Sequence, residues 1–281
     1  CILEELKDTI LGGRIDKIHQ PEKDEIHIGI RAKNQNHRLL ISASANYPRI
    51  HLTELQKSNP VTPPVFCMVL RKHLMGGRII NIEQPGFERI IILYIESRDE
   101  LGDLSTKRLI IEIMGRHSNI ILVDDKDFII DSVKRITEEI SRVRQVLPGN
   151  PYLFPPSQNK HNPLLQEPSK LDEILNTDKD TKKAARAIQN YFIGISRVTA
   201  KEIVHRGEKS SLSKAFYNFF ERVKSKDFDP VLLKDEAGRP IDIFPFPYYQ
   251  YDIKLQKSFE SVSLALEIFF HTRDKMDRMR Q

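Results

Sequence analysis

Cysteine is almost absent: Cys1 and Cys67 are the two in 281 residues. So distant a pair can build neither a disulfide framework nor a four-cysteine zinc site, and the scarcity fits a reducing compartment. Long apolar runs are missing too, so no segment reaches the roughly eighteen residues a membrane-spanning helix needs. No apolar stretch followed by a small-residue cleavage site marks a secretory leader. Together these absences predict a cytoplasmic location and no membrane partner. The chain opens with Cys1, directly in the helical stretch CILEELKDTILGG, which predicts that the natural start lies upstream.

Surplus charge is small as well, a formal net +5 with a pI near 9.0. Its placement is informative. From Asn176 to Lys226 twelve Lys and Arg face five Asp and Glu, so the basic character belongs to one segment and points to a polyanionic partner there. Hydrophobic content of 40% and charged content of 30% suit a soluble globular chain long enough for two domains.

An internal repeat organises the first half. GGRIDKIHQP from Gly12 recurs as GGRIINIEQP from Gly76, and nine of nineteen residues from position 12 to 30 are identical 64 positions later. At an offset of 70, RLLISASANYPRIHLT from Arg38 matches RLIIEIMGRHSNIILV from Arg108. Each copy reads as a helix stopped by a glycine pair, a strand, a Pro-containing turn and further strands. Alternation in EIHIGIRA and the apolar run IIILYI support strands, and VFCMVLRKHLM has helical spacing. The expected fold class is α+β, with a pseudo-symmetric β-sandwich and flanking helices over residues 1–168. A helical domain over 169–228, an aromatic and Pro-rich connecting segment over 229–259, and the start of a coiled-coil helix over 260–281 are expected to follow. The Pro-rich passage from Leu147 to Pro163 excludes a regular helix or central strand and marks the exit from the first domain.

Within the basic segment, FIGISRVTAKEIV resembles a helix-hairpin-helix turn, with Gly194, Ile195, Thr199, Ala200 and Ile203 in the pattern's places. Gly194, Ile195 and Ser196 would expose backbone N–H groups at a helix start, where phosphate binds without base readout, and Arg197, Lys201 and Arg206 would add charge. An ordinary helical hairpin with a solvated basic face has the same composition. His73 in RKHLMGG reads as a helix-end residue, since no second His or Cys stands at ligand spacing. Neither a metal nor a cofactor is expected.

The strings FCMVLRKHLMGGRI, GFERI, EIMGRHSNIILVD and LPGNPYLFPP, in this order, resemble the NFACT-N domain of the RqcH/NEMF family, which also includes bacterial proteins called fibronectin-binding. The resemblance covers essentially the whole chain. It implies a fold like the N-terminal and helical domains of formamidopyrimidine-DNA glycosylases. It also implies a function in ribosome-associated quality control. Such a factor binds large ribosomal subunits obstructed by peptidyl-tRNA and recruits alanyl-tRNA for C-terminal alanine tailing of the stalled chain. The chemistry of tailing would stay with the ribosome, so no catalytic residue is expected.

The family carries an Asp-Arg pair needed for tailing, and Glu88 and Arg89 stand at the matching positions, with the acid one methylene longer. An Arg fork can clamp phosphate or guanine beside an orienting carboxylate, whereas a plain surface pair would contribute little. The family also implies a functional, tRNA-binding loop at GRHSN. There Arg116, His117 and Asn119 are the donors, or Gly115 and Asn119 serve only the turn. Two other readings have less support. A DNA glycosylase would need a four-cysteine zinc finger. Adhesion through fibronectin, as the older family name has it, would call for a secretion signal.

Overall fold

The computed structural model describes residues 1–175 and 181–279, so the start of the basic segment (Asn176 to Asp180) and the last two residues of the expected coiled-coil helix lie outside the described residues. Two compact units emerge: residues 2–85 with 89–155, and residues 156–281 with Gly86–Glu88 and Cys1.

In the first unit the repeat sets the plan. Helix α1 (Ile2–Ile10) buries Leu6 and Ile10, one turn apart, and stops at Gly12, whose φ of +78° suits a residue without a side chain. Strands β1 (Arg14–Glu22), β2 (Glu25–Ala32), β3 (Gln35–Ser42) and β4 (Arg49–Leu52) follow as an antiparallel meander. The second copy repeats the order. Helix α2 (Val65–Leu74) stops at Gly76, φ +75°, and leads into β5 (Arg78–Glu83), β6 (Ile90–Arg98), β7 (Leu104–Glu112) and β8 (Asn119–Val123), with β9 (Ile129–Ser132) added at the edge. Even the bulges recur, between Ile15 and Lys17 in β1 and between Ile79 and Asn81 in β5. Both GGRI segments thus enter the same kind of strand, as a duplication requires.

The halves join differently from a packed sandwich. β1 and β5 pair antiparallel at Arg14↔Arg78, and the strands form one nine-stranded sheet in the order β4-β3-β2-β1-β5-β6-β7-β8-β9. Hydrogen bonds from Gly12 N–H to Ile79 O (2.7 Å) and from Gly76 N–H to Ile15 O (2.8 Å) stitch the junction. Strand edges left by each half find their partner in the other copy, which removes two unpaired edges. One core spans both halves, from Ile28 and Leu39 to Leu93 and Leu109, and takes in both helices. A second apolar cluster covers the other face of β6–β8 beneath Val146 and Tyr152.

The second unit contains α3 (Pro168–Leu175), α4 (Thr181–Tyr191), α5 (Arg197–Gly207) and α6 (Leu212–Lys224). Residues 229–259 are no mere connector: β10 (Val231–Lys234), β11 (Pro240–Phe244) and β12 (Gln256–Ser258) form an antiparallel sheet in the order β11-β10-β12. Phe244, Phe246 and Tyr248 join Phe192, Phe216 and Phe219 in one aromatic core. Prolines at 240, 245 and 247 interrupt the alternation of a strand, so the sequence pattern alone does not mark this sheet. Helix α7 (Val262–Arg278) buries Val262, Ala265 and Phe269 and packs on β10 and β11. Among the described residues no helix is long and apolar enough to cross a membrane.

Candidate nucleic-acid interface

In the helical unit, α4 ends at Tyr191 and α5 begins at Arg197, so Phe192 to Ser196 form the turn between them. Gly194 takes φ +72°, and a Cβ there would stand 2.5 Å from the Phe87 ring and 2.6 Å from the Phe87 carbonyl oxygen. The glycine is required by backbone shape and by close packing together. Ser196 caps α5, its hydroxyl accepting from Thr199 N–H at 3.1 Å, while Ile195 is buried. Thr199 is also tied by its hydroxyl to Tyr248 at 2.8 Å.

Arg197 and Lys201, one turn apart on α5, face Lys182, Arg186 and Gln189 of α4 across a cavity of about 420 Å³. Lys182, Arg186 and Gln189 follow i, i+4, i+7 spacing, so they form one stripe of α4. That spacing is the signal of the groove that the sequence carries. Arg206 takes another role. Its guanidinium donates to Glu202 Oε1 at 2.7 Å and to Pro247 O at 2.9 Å and lies over the Tyr249 ring at 4.5 Å. Glu202, fully buried, also accepts from the backbone N–H groups of Tyr249 (2.8 Å) and Gln250 (3.0 Å). Arg206 therefore holds the small sheet's aromatic loop to α5, with its Nε and one terminal nitrogen bonded to Glu202 and Pro247.

In the sheet unit, Arg89 is exposed at the bend that opens β6, and its carbonyl accepts from Ile113 N–H at 2.9 Å. Register aligns Ile90, Glu112 and Asn119 across β6, β7 and β8. Arg89 and the 3-10 turn Gly115–His117 therefore lie at the same end of the sheet. Arg116 and His117 are exposed there, with the Arg116 Nε donating to His117 Nε2 at 3.1 Å. Asn119 is buried, and its amide is spent on the backbone: it donates to Lys134 O at 2.8 Å and accepts from Ile120 N–H (2.9 Å) and Lys134 N–H (3.1 Å). Of the two roles open to it in sequence, the turn-holding one matches this placement. Glu88 is half-buried and counts with the helical unit, whereas Arg89 counts with the sheet unit.

Below this sheet end lies a cluster that the sequence did not reveal. Glu112 is buried and takes both guanidinium nitrogens of Arg144, at 2.9 and 2.7 Å, with the Tyr152 hydroxyl donating to it at 2.8 Å. Burial pushes the Tyr152 phenol well above its ordinary range, with the Glu112 charge adding to the shift. The three residues stand 32 and 40 positions apart, so no local pattern could link them.

The sequence matches the NFACT N-terminal and middle domains over residues 1–281. The chain belongs to the NFACT family. The Rqc2 homolog RqcH of Bacillus subtilis is 40% identical over 281 residues, which cover 99% of this chain and 48% of that protein. The human ribosome quality control complex subunit NEMF is 29% identical over 144 residues, 51% of this chain and 12% of that protein. Among solved structures, the N-terminal part of the fibronectin/fibrinogen-binding protein from Streptococcus suis superimposes with a TM-score of 0.84 at 35% identity, covering 96% of each chain. This NFACT chain spans about half the length of the curated bacterial relative it matches. Its fold is a mixed α+β arrangement with a large antiparallel sheet, in common with the Streptococcus suis structure.

Proposed function

We propose that this chain is the RNA-handling half of a ribosome-associated quality control factor. The whole protein binds large ribosomal subunits obstructed by peptidyl-tRNA and recruits alanyl-tRNA, so that C-terminal alanine residues are added to the stalled chain. The protein positions tRNA, and the ribosome forms the peptide bonds. Family membership over the full chain supports this reading, and the observation that carries it is the cationic groove of α4 and α5. Lys182, Arg186, Arg197 and Lys201 line one cavity between α4 and α5, the two helices joined by the turn at Gly194, and we read this pair as a helix-hairpin-helix grip on an RNA backbone, with Ser196 and Ile195 shaping the turn. Arg89, Arg116 and His117 form the second surface, which contacts tRNA, while Glu88 keeps the acidic position of the family's pair. Helix α7 begins the coiled coil of the whole protein.

Neutralising phosphates releases counterions, so affinity falls with salt. In the full-length protein, Arg197→Glu with Lys201→Glu should weaken tRNA binding and flatten its salt dependence by roughly two phosphate contacts. Arg89→Ala should weaken tRNA binding roughly ten- to a hundredfold, the loss of one charge-assisted contact, without lowering the thermal midpoint. Crosslinking in cells followed by sequencing of the attached RNA should enrich one tRNA and large-subunit RNA. A fibronectin-binding reading, suggested by the name of the Streptococcus suis relative, predicts instead that fibronectin is retained by the purified protein while no RNA is enriched.

A further inference from the structure

The duplicated sheet has two outward faces that descend from one plan and have diverged. Strand register aligns Glu25, His27, His51 and Thr53 of the first half with Ile90, Ile92, Ile121 and Val123 of the second. In the second half those four residues build an apolar cluster closed over by Val146 and Tyr152. In the first half the same face is polar, and a cavity of about 480 Å³ opens on it. A polar concavity that the other copy fills with aliphatic side chains calls for a polar occupant.

The chemistry of the walls says which. Lys17, Arg38 and Lys57 line the cavity with the imidazoles of His19, His27 and His37, against two carboxylates, Asp16 and Glu54. Beneath them Glu25 is buried and already neutralised, with Lys57 Nζ at 2.9 Å, His27 Nε2 at 3.1 Å and the Arg49 guanidinium at 3.7 Å. Among the described residues no three His, Cys, Asp or Glu side chains converge closely enough to hold a metal ion, so the imidazoles serve as hydrogen-bonding groups. Arg71 of α2 adds a cation behind the wall, 3.3 Å from His19 Nδ1. His19 is accordingly hard to protonate, through its burial first and then through Arg71, His27, Lys17 and Arg38.

We propose that this cavity binds a phosphate-bearing ligand of mononucleotide size. Its volume falls within the few-hundred-Å³ range of small-molecule sites, and Lys, Arg and His donors are those that hold a phosphate dianion. The phosphate can come from a free nucleotide or from the end of an RNA, and this site is separate in sequence and chemistry from the α4–α5 groove.

Calorimetric titration of the full chain with adenosine monophosphate, inorganic phosphate, adenosine and a short RNA with or without a 5′-phosphate tests the idea. The first two should bind saturably and adenosine should not. Binding of the 5′-phosphorylated RNA alone would identify an RNA end as the source. Lys17→Glu combined with Arg38→Gln should weaken phosphate binding roughly ten- to a hundredfold. Arg38 also donates to Leu55 O at 2.8 Å, so Lys17→Glu alone, at an exposed side chain, keeps the test valid if the double variant melts early. Absence of saturable binding by every phosphate-bearing probe, or equal binding by wild type and Lys17→Glu, would overturn the proposal.

Discussion

Glu112 ends β7 with its side chain wholly buried, and Arg144 and Tyr152 reach it from a loop more than thirty residues on. A buried pair of this kind contributes little relative to apolar packing but is costly to break, because one charge is left without its partner. Arg144→Ala should therefore cost about 3–5 kcal/mol in denaturant unfolding, while Arg116→Ala, at an exposed position, should stay within about 0.5 kcal/mol. Asn119→Ala should cost about 1–3 kcal/mol for the backbone groups it would orphan, which chemical denaturation would register even if tRNA binding survived. Gly194→Ala meets both a positive φ and the Phe87 carbonyl oxygen. It should destabilise the helical unit by roughly 1–3 kcal/mol or more.

At the scale of elements, the outer face of β2–β4 carries an ionic network in place of the aliphatic packing on β6–β8. Burial pushes the Glu25 carboxyl up, but hydrogen bonds from His27 and Lys57 outweigh it and hold the group to about 2. The folded value lies below that of an ordinary Glu near 4.3, so the network's stabilisation is present in full above about pH 4.3. It fades as pH falls toward 2. Thermal midpoints recorded across that interval should drop for the wild type, and Glu25→Gln should show a lower midpoint at neutral pH with a flatter acid limb. A steep acid limb persisting in Glu25→Gln would assign the transition to other carboxylates. The helix starts offer a milder comparison: Ser196→Ala removes the cap of α5 and should cost about 1 kcal/mol.

For the molecule as a whole, the chain does not leave the first unit once. Gly86–Glu88, between β5 and β6, count with the helical unit, where the Phe87 ring meets Phe220 edge-on at a centroid distance of 6.0 Å. Phe87→Ala thus lies within the duplicated sequence yet should loosen the aromatic core of α4–α6. Hydrogen exchange would show faster exchange in α5 and α6, with β7 and β8 unchanged, and uniform acceleration of both units would count against separate cores.

The duplication was legible in the sequence because identical glycines, Arg-Ile pairs and Gln-Pro pairs recur at a fixed offset, and backbone stops of that kind act locally. The basic segment, the turn at Gly194 and the start of α5 were legible for the same reason, as was the family resemblance carried by contiguous strings. Edge pairing of β1 with β5 was not, since hydrogen bonding between strands 64 residues apart leaves no local pattern. Nor was the Glu112, Arg144 and Tyr152 cluster, or the folding of residues 229–259 into the aromatic core, where prolines mask the strand period and burial alone selects the partners. Whether Asn119 and Arg206 face solvent or the backbone was likewise a tertiary matter: the same donors serve phosphate or carbonyl oxygen, and only the surrounding fold decides which acceptor is within reach.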